Sequence, residues 1–90
     1  MHLSIPKLSE HMGPIVQGYR RDNRYSQEDF SELLHITPRS LSALENGRSF
    51  CNSVTLLRFL DFLGPEEQHE LIHELVAIMD TFFEQHSDCA

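Results

Sequence analysis

The chain has 90 residues, of which 40% are hydrophobic and 23% are charged. This length allows one domain and excludes a multidomain enzyme, and the composition is too apolar for an intrinsically disordered chain. The longest uninterrupted apolar run is Leu75 to Met79, far short of a membrane span, and residues 1–13 lack the basic and apolar regions of a signal peptide. We therefore expect a cytoplasmic protein.

The two cysteines, Cys51 and Cys89, are too few for a disulfide scaffold or a four-ligand zinc site, so reduced thiols are expected.

The net charge of −7 is concentrated in the carboxyl-terminal segment. Residues 1–64 carry all seven basic residues and seven acidic ones, whereas residues 65–90 carry seven acidic residues and no Lys or Arg. This asymmetry indicates regions with different roles. We expect an N-terminal arm at 1–13, a compact domain at 14–64, and an acidic helix with a tail at 65–90.

The first two helices are predicted from residues suited to helix starts. Pro14 fits the first position of a helix that has Val16 on its inner face and ends near residues 22–23. Ser26 precedes an acidic stretch, so its hydroxyl can cap a second, short helix whose dipole the acids complement. Leu33 and Leu34 are expected to face inward from this second helix.

Three further helices follow. Thr37 and Pro38 form a cap and a first helical position, and this third helix stops at residues 46–47. Ser53 is predicted to cap a fourth helix over residues 54–63, whose many apolar side chains indicate that most of it is buried. Pro65 begins the last and longest helix, which is predicted to run to about His86. Because no long β-branched alternation is present, we predict an all-α fold of five helices.

Helices two and three, joined by a turn of three or four residues, have the proportions of a DNA-reading helix-turn-helix. Residues 25–48 read YSQEDFSELLHITPRSLSALENGR, and this segment resembles the Xre family, the Cro and phage-repressor-like helix-turn-helix domains. The resemblance covers about residues 16–64. It is most specific at the Ser-Gln pair that opens helix two, at the small residue Ser31, and at Leu-Glu-Asn-Gly over residues 44–47. It implies a phage-repressor-like fold that binds double-stranded DNA.

The resemblance also implies a role for individual residues. The positions that meet base edges in such proteins are Thr37, Pro38, Arg39, Ser40, Ser42 and Ala43. The positions that hold phosphates are Gln27, Asn46, Gly47 and Arg48. Arg39 is the only long donor among the first set, and its guanidinium could bridge the O6 and N7 acceptors of guanine. Arg20 and Glu45 match a pair that forms an internal salt bridge in relatives.

Two departures from the family pattern stand out. His35 occupies the turn position where relatives usually place a left-handed Gly, which a His tolerates at some cost. Ser31 replaces a common Ala and is still small enough for close packing.

Because the recognition positions are poor in Asn and Gln, direct readout of adenine is limited, and part of the specificity is expected to come from DNA shape.

The last helix carries an apolar stripe wider than the band of about 100° that rests on one domain. The residues of the stripe are Leu71, Ile72, Leu75, Val76, Ile78, Met79, Phe82 and Phe83. We therefore expect a second surface that contacts another copy of the chain in a symmetric homodimer. The opposite, acidic face would repel phosphates and should point away from the duplex.

Each of these sequence patterns also has a simpler, purely structural interpretation. The helices could form a structural bundle that never touches nucleic acid, and the stripe could be ordinary core. His69 and His73 have a metal-compatible spacing, but the pattern fixes no third ligand. Cys51 could sense oxidation or be a structural thiol. The acidic face could be only solvated, or it could dock a basic protein partner.

No nucleophile-base motif, phosphate loop or paired-carboxylate cleft is present, so we expect no enzymatic activity, no cofactor and no metal site. The prediction is an Xre-like transcriptional regulator that binds an inverted-repeat operator as a homodimer, with repression by promoter occlusion. The alternative is an antitoxin or other interaction protein that neutralises a partner through its acidic last helix and autoregulates its operon.

Overall fold

The computed structural model describes residues 6–85, which form five α-helices and contain no strand. The helices are α1 (Pro6–Asp22), α2 (Gln27–Leu34), α3 (Pro38–Glu45), α4 (Ser53–Phe62) and α5 (Pro65–Gln85). The prediction of an all-α fold is confirmed. The predicted end of the last helix at His86 lies outside the described residues.

The first helix is longer than predicted. It begins at Pro6 and contains Pro14, so the expected start at Pro14 is wrong, as is an N-terminal arm for residues 6–13; residues 1–5 are not described. The reason is that Leu8, Met12 and Val16 lie one above the other at a spacing of four and are all buried. Their burial outweighs the hydrogen bond that a proline inside a helix removes.

Side-chain caps fix the starts of the next three helices. The hydroxyl oxygens of Ser26 and Thr37 each accept a hydrogen bond from the amide three residues further on, at 3.0 and 3.1 Å, as predicted. At α4 the prediction is wrong, because the side chain of Asn52 accepts the corresponding bond at 2.9 Å and Ser53 is already helical.

The core is built around Phe30, which is fully buried between α1 and α4. Its ring centroid lies 5.9 Å from that of Tyr19, 6.3 Å from that of Phe59 and 5.9 Å from that of Phe62. The Tyr19 hydroxyl donates to the Phe62 carbonyl at 3.2 Å, and burial raises the pKa of this tyrosine. These contacts tie α2, the first helix of the motif, to its support.

Two predictions of burial are wrong. In α4 only Thr55 and Phe59 are buried, while Val54 and Leu57 are 61% and 66% exposed. In α2, Leu33 is 37% exposed. A chain this short has too few neighbouring elements to cover a ten-residue helix on all sides, so an apolar composition does not by itself imply burial.

The apolar stripe of α5 divides into two. Leu71 and Leu75 are buried, and Ile78 and Phe82 pack partly buried against the core. These four residues belong to the protomer's own core, and the prediction of a dimer interface on the eight-residue stripe stays a prediction. The other four remain between 36% and 46% exposed: Ile72, Val76, Met79 and Phe83.

The helix α5 also lies against α1, where Nε2 of His11 is 2.9 Å from Oε1 of Glu74. None of the helices described over residues 6–85 combines the length and the apolar character needed to cross a membrane.

Candidate nucleic-acid interface

Helices α2 and α3 are joined by a turn of three residues, 35–37. His35 has φ 60° and ψ 40°, so it occupies the left-handed conformation expected at this position. Its amide donates to the carbonyl of Glu32 at 3.1 Å, and the amide of Ile36 donates to the carbonyl of Ser31 at 3.0 Å. These bonds close the end of α2 and direct the chain into α3.

The helix α3 is anchored on one side only. Leu41 and Leu44 are buried in the core, and α1 crosses the carboxyl end of α3 at Gly13. A Cβ atom at Gly13 would lie 2.7 Å from the carbonyl oxygen of Glu45 and 2.9 Å from that of Leu44. The absence of a side chain at this position therefore allows the two helices to approach closely.

The predicted base-reading positions form one accessible surface at the amino end of α3. Thr37, Pro38, Arg39 and Ser40 are exposed, and Ser42 and Ala43 are half-buried. The hydroxyl of Thr37 donates to that of Ser40 at 3.0 Å while it also caps the helix. Within residues 6–85, the Arg39 guanidinium makes no hydrogen bond or ion pair, so its donors face solvent.

The predicted phosphate-contact positions lie at two helix ends. Gln27 begins α2, whereas Asn46, Gly47 and Arg48 follow α3. The side-chain amide of Asn46 donates from Nδ2 to the Ser42 carbonyl at 2.8 Å. Gly47 has a φ angle of 73°, and the Arg48 side chain is exposed. The start of α2 and the end of α3 are joined by the side-chain amide of Gln27, which donates from Nε2 to Oε1 of Glu45 at 3.1 Å.

A buried ionic network holds these elements together. The Glu45 side chain is fully buried and accepts two bonds from the Arg20 guanidinium, Nε to Oε2 at 2.6 Å and Nη2 to Oε1 at 3.1 Å. The third donor is Gln27, and Arg20 also donates from Nη1 to the Tyr25 carbonyl at 3.0 Å. The predicted internal salt bridge is confirmed, and it links α1 and the start of α2 to the end of α3. Such two-point pairing fixes geometry as well as charge.

The sequence model of a family described as "Helix-turn-helix domain" matches residues 16–74. The chain belongs to this family. The matched region runs past Gly64 into the first turns of α5. No curated protein and no solved structure gives a significant match. A helix-turn-helix domain is a DNA-binding unit, and this membership supports a DNA-binding regulator.

Two other groups were singled out in the sequence, Cys51 and the pair formed by His69 and His73. Cys51 is half-buried beside the core, and burial raises the pKa of its thiol to about 11, which suits a structural thiol better than a reactive one. The rings of His69 and His73 are 4.3 Å apart and exposed. Across residues 6–85, no group of three or more His, Cys, Asp or Glu side chains is placed to hold a metal ion.

Sequence reasoning missed the structural roles of two residues, Gln27 and Gly13. Gln27 was assigned only to phosphate, whereas its amide is also part of the Glu45 network. Gly13 was assigned to an arm, and nothing in one sequence separates it from Gly18 in the same helix, where a Cβ atom would meet nothing within 4 Å.

Proposed function

We propose that this protein is a sequence-specific transcriptional regulator of the Xre type that acts in the cytoplasm. The observation that carries the proposal is the solvent exposure of the Arg39 guanidinium. This side chain is exposed at the amino end of α3 and has no partner among residues 6–85, while the rest of α3 is fixed by its buried leucines and by Glu45. A rigid helix with a free guanidinium at its exposed start suits the major groove, where Arg pairs with guanine O6 and N7.

The remaining contacts follow from the same placement. Thr37, Pro38, Ser40, Ser42 and Ala43 would approach the neighbouring base edges or the thymine methyl groups. Gln27 would contact a phosphate at one side of the groove. Asn46, the Gly47 amide and Arg48 would contact a phosphate at the other side. Phosphate contacts of this kind set the register of α3 on the duplex and leave sequence discrimination mainly to Arg39.

We infer that the regulator acts as a homodimer on an inverted repeat, and that it represses by occluding the promoter. The support is the outer half of the α5 stripe, where Ile72, Val76, Met79 and Phe83 remain exposed although they are apolar. Complete burial of such side chains contributes about 1.5 to 3 kcal/mol each, so burying the exposed part of four contributes roughly 3 to 5 kcal/mol per protomer. A two-fold axis is the ordinary way to bury such a surface.

Selection of bound sites from random duplex DNA tests this function directly. We expect an enriched site with two inverted half-sites whose centres lie about 10 base pairs or a multiple of that apart. We also expect a guanine at the same place in each half-site. Recovery of unselected sequence would contradict specific DNA binding, and a single asymmetric site would contradict the dimer. A reporter gene placed behind the selected site would then give the sign of regulation.

A further inference from the structure

The exposed half of the α5 stripe borders an apolar groove. The groove lies between α4 and α5, has a volume of about 180 Å³, and is lined mainly by Leu56, Leu60, Ile72, Val76 and Met79. The remaining lining residues are also apolar. Because apolar cavities of about 150 Å³ accept one benzene-sized ring, this groove has room for one aromatic side chain.

We propose that Phe83 of a second copy of the chain fills this groove, with the two α5 helices packed antiparallel. The proposal rests on the homodimer proposed above and specifies its arrangement. The exposed residues Ile72, Val76, Met79 and Phe83 recur at spacings of four, three and four. This is the spacing with which two helices pack along a shared seam. Phe83 is 44% exposed, and it is the one aromatic residue in the seam.

The position of the groove along α5 distinguishes the two orientations. Its α5 lining ends at Met79, so Phe83 lies outside it. In a parallel pair, Phe83 would meet Phe83 of the second copy, beyond the groove. In an antiparallel pair centred between residues 77 and 78, Val76 meets Met79, and Phe83 of the second copy lies opposite Ile72 at the groove. Only the antiparallel pair therefore brings the aromatic ring to the apolar space.

Charge along one edge of the seam favours the same orientation. His73 and Asp80 are seven residues apart and flank the seam on the same side of α5. Antiparallel packing about the same centre places His73 of each copy within two residues, about 3 Å along the helix axis, of the level of Asp80 of the other, which gives two favourable pairs. The acids Glu70 and Glu74 lie further round the helix, and Glu66 precedes the first seam residue, Ile72, so none of these carboxylates lies in the seam.

Distances between paired spin labels test the orientation in the full-length dimer. One label would replace Glu66 and another Ala77, as Glu66→Cys and Ala77→Cys, each in a chain carrying Cys51→Ala and Cys89→Ser. Both positions are exposed and lie away from the seam. At 1.5 Å per residue, antiparallel helices separate the two Glu66 labels by about 35 Å along the helix axis and the two Ala77 labels by only about 2 Å. Parallel helices give no axial separation at either position.

Sedimentation equilibrium of Phe83→Ala tests the insertion itself. Because both copies lose the contact, we expect the dimer dissociation constant to rise about 30-fold or more. Leu33→Ala is the matched control, since Leu33 is 37% exposed on α2 and lies on another surface, so the dissociation constant should not change.

The outcomes separate this arrangement from the dimer on which it depends. A long Glu66 distance with a short Ala77 distance, together with a weakened Phe83→Ala dimer, supports it. A stable dimer with equal distances, or one that Phe83→Ala leaves unchanged, overturns the insertion and leaves the homodimer standing. A wild-type chain that is monomeric at micromolar concentration overturns both, and the groove would then belong to a different partner.

Discussion

The crossing of α1 over the end of α3 can be tested with two glycines of the same helix. Gly13→Ala and Gly18→Ala make the same chemical change within α1, and alanine favours a helix over glycine by about 0.5 to 1 kcal/mol. Gly18 has open space, because a Cβ atom there would meet nothing within 4 Å. Gly18→Ala should therefore raise the free energy of unfolding by about that amount.

At Gly13 the same methyl group meets backbone. It would lie 2.7 and 2.9 Å from two carbonyl oxygens of α3 and 3.1 Å from the amide nitrogen of Gly47. Backbone atoms cannot rotate away as a side chain can, so α1 and α3 must separate. Overpacking of this kind costs about 1 to 3 kcal/mol. After the gain in helix propensity, we expect a net loss of about 0 to 2.5 kcal/mol for Gly13→Ala, or about 1 kcal/mol at the middle of both ranges.

Urea unfolding followed by circular dichroism would measure both variants at one protein concentration, because dimerisation contributes to the apparent stability. In thermal unfolding of the same samples, the melting temperatures of the two variants should move in opposite directions from that of the wild type, by about 4 to 8 °C for each kcal/mol. DNA affinity should fall for Gly13→Ala only, since its clash displaces the recognition helix. If Gly13→Ala is as stable as Gly18→Ala, the close approach of α1 to α3 is wrong.

Three further predictions concern single side chains. Arg39→Ala should cost about 1 to 3 kcal/mol on the selected site and relax the preference for guanine; competition assays showing equal losses on specific and random DNA would make Arg39 a phosphate contact instead. His35→Gly should raise the free energy of unfolding by about 0.5 to 1 kcal/mol in thermal or urea unfolding, because glycine adopts the left-handed conformation without strain; a destabilised variant would contradict this. Cys51, studied with Cys89→Ser, should react with a thiol reagent at pH 8 about 100-fold more slowly than in the unfolded chain, since a pKa of about 11 instead of 9.0 leaves 100-fold less thiolate, and the rate should climb as pH approaches 11. Equal rates at pH 8 would show that the thiol is not protected.

The sequence predicted the elements whose signals are local. Ser26 and Thr37 cap their helices because a hydroxyl directly before a helical run can accept a hydrogen bond from a free backbone amide of the first turn. The left-handed conformation of His35 was expected from the family resemblance. The start of α4 shows what local sequence signals cannot decide, namely whether Asn52 or Ser53 caps the helix. Both can cap a helix, and only the backbone direction, which tertiary packing sets, decides between them.

The errors arise where burial depends on distant parts of the chain. Pro14 favours a helix start, but the burial of Leu8 and Met12 extends the helix through it. The α5 periodicity correctly located an apolar helix. It could not separate Leu75, which faces the core, from Val76, which does not, because that depends on where α1 and α4 lie. The candidate recognition residues are predicted through resemblance and stay a prediction, whereas the Gln27 to Glu45 bond needs three-dimensional placement.

The network around Glu45 bears on how tightly so acidic a protein can hold DNA. Long polar side chains normally lose rotational freedom when they bind, at about 0.5 to 1.5 kcal/mol for each immobilised chain. Gln27, which we propose as a phosphate contact, is already held by Glu45 before any ligand arrives. The side-chain entropy that Gln27 loses during folding would not be lost again on binding to the proposed DNA site. Pre-organisation can thus stand in for the dense positive charge that other DNA-binding domains use, and affinity gained in this way should be less sensitive to salt.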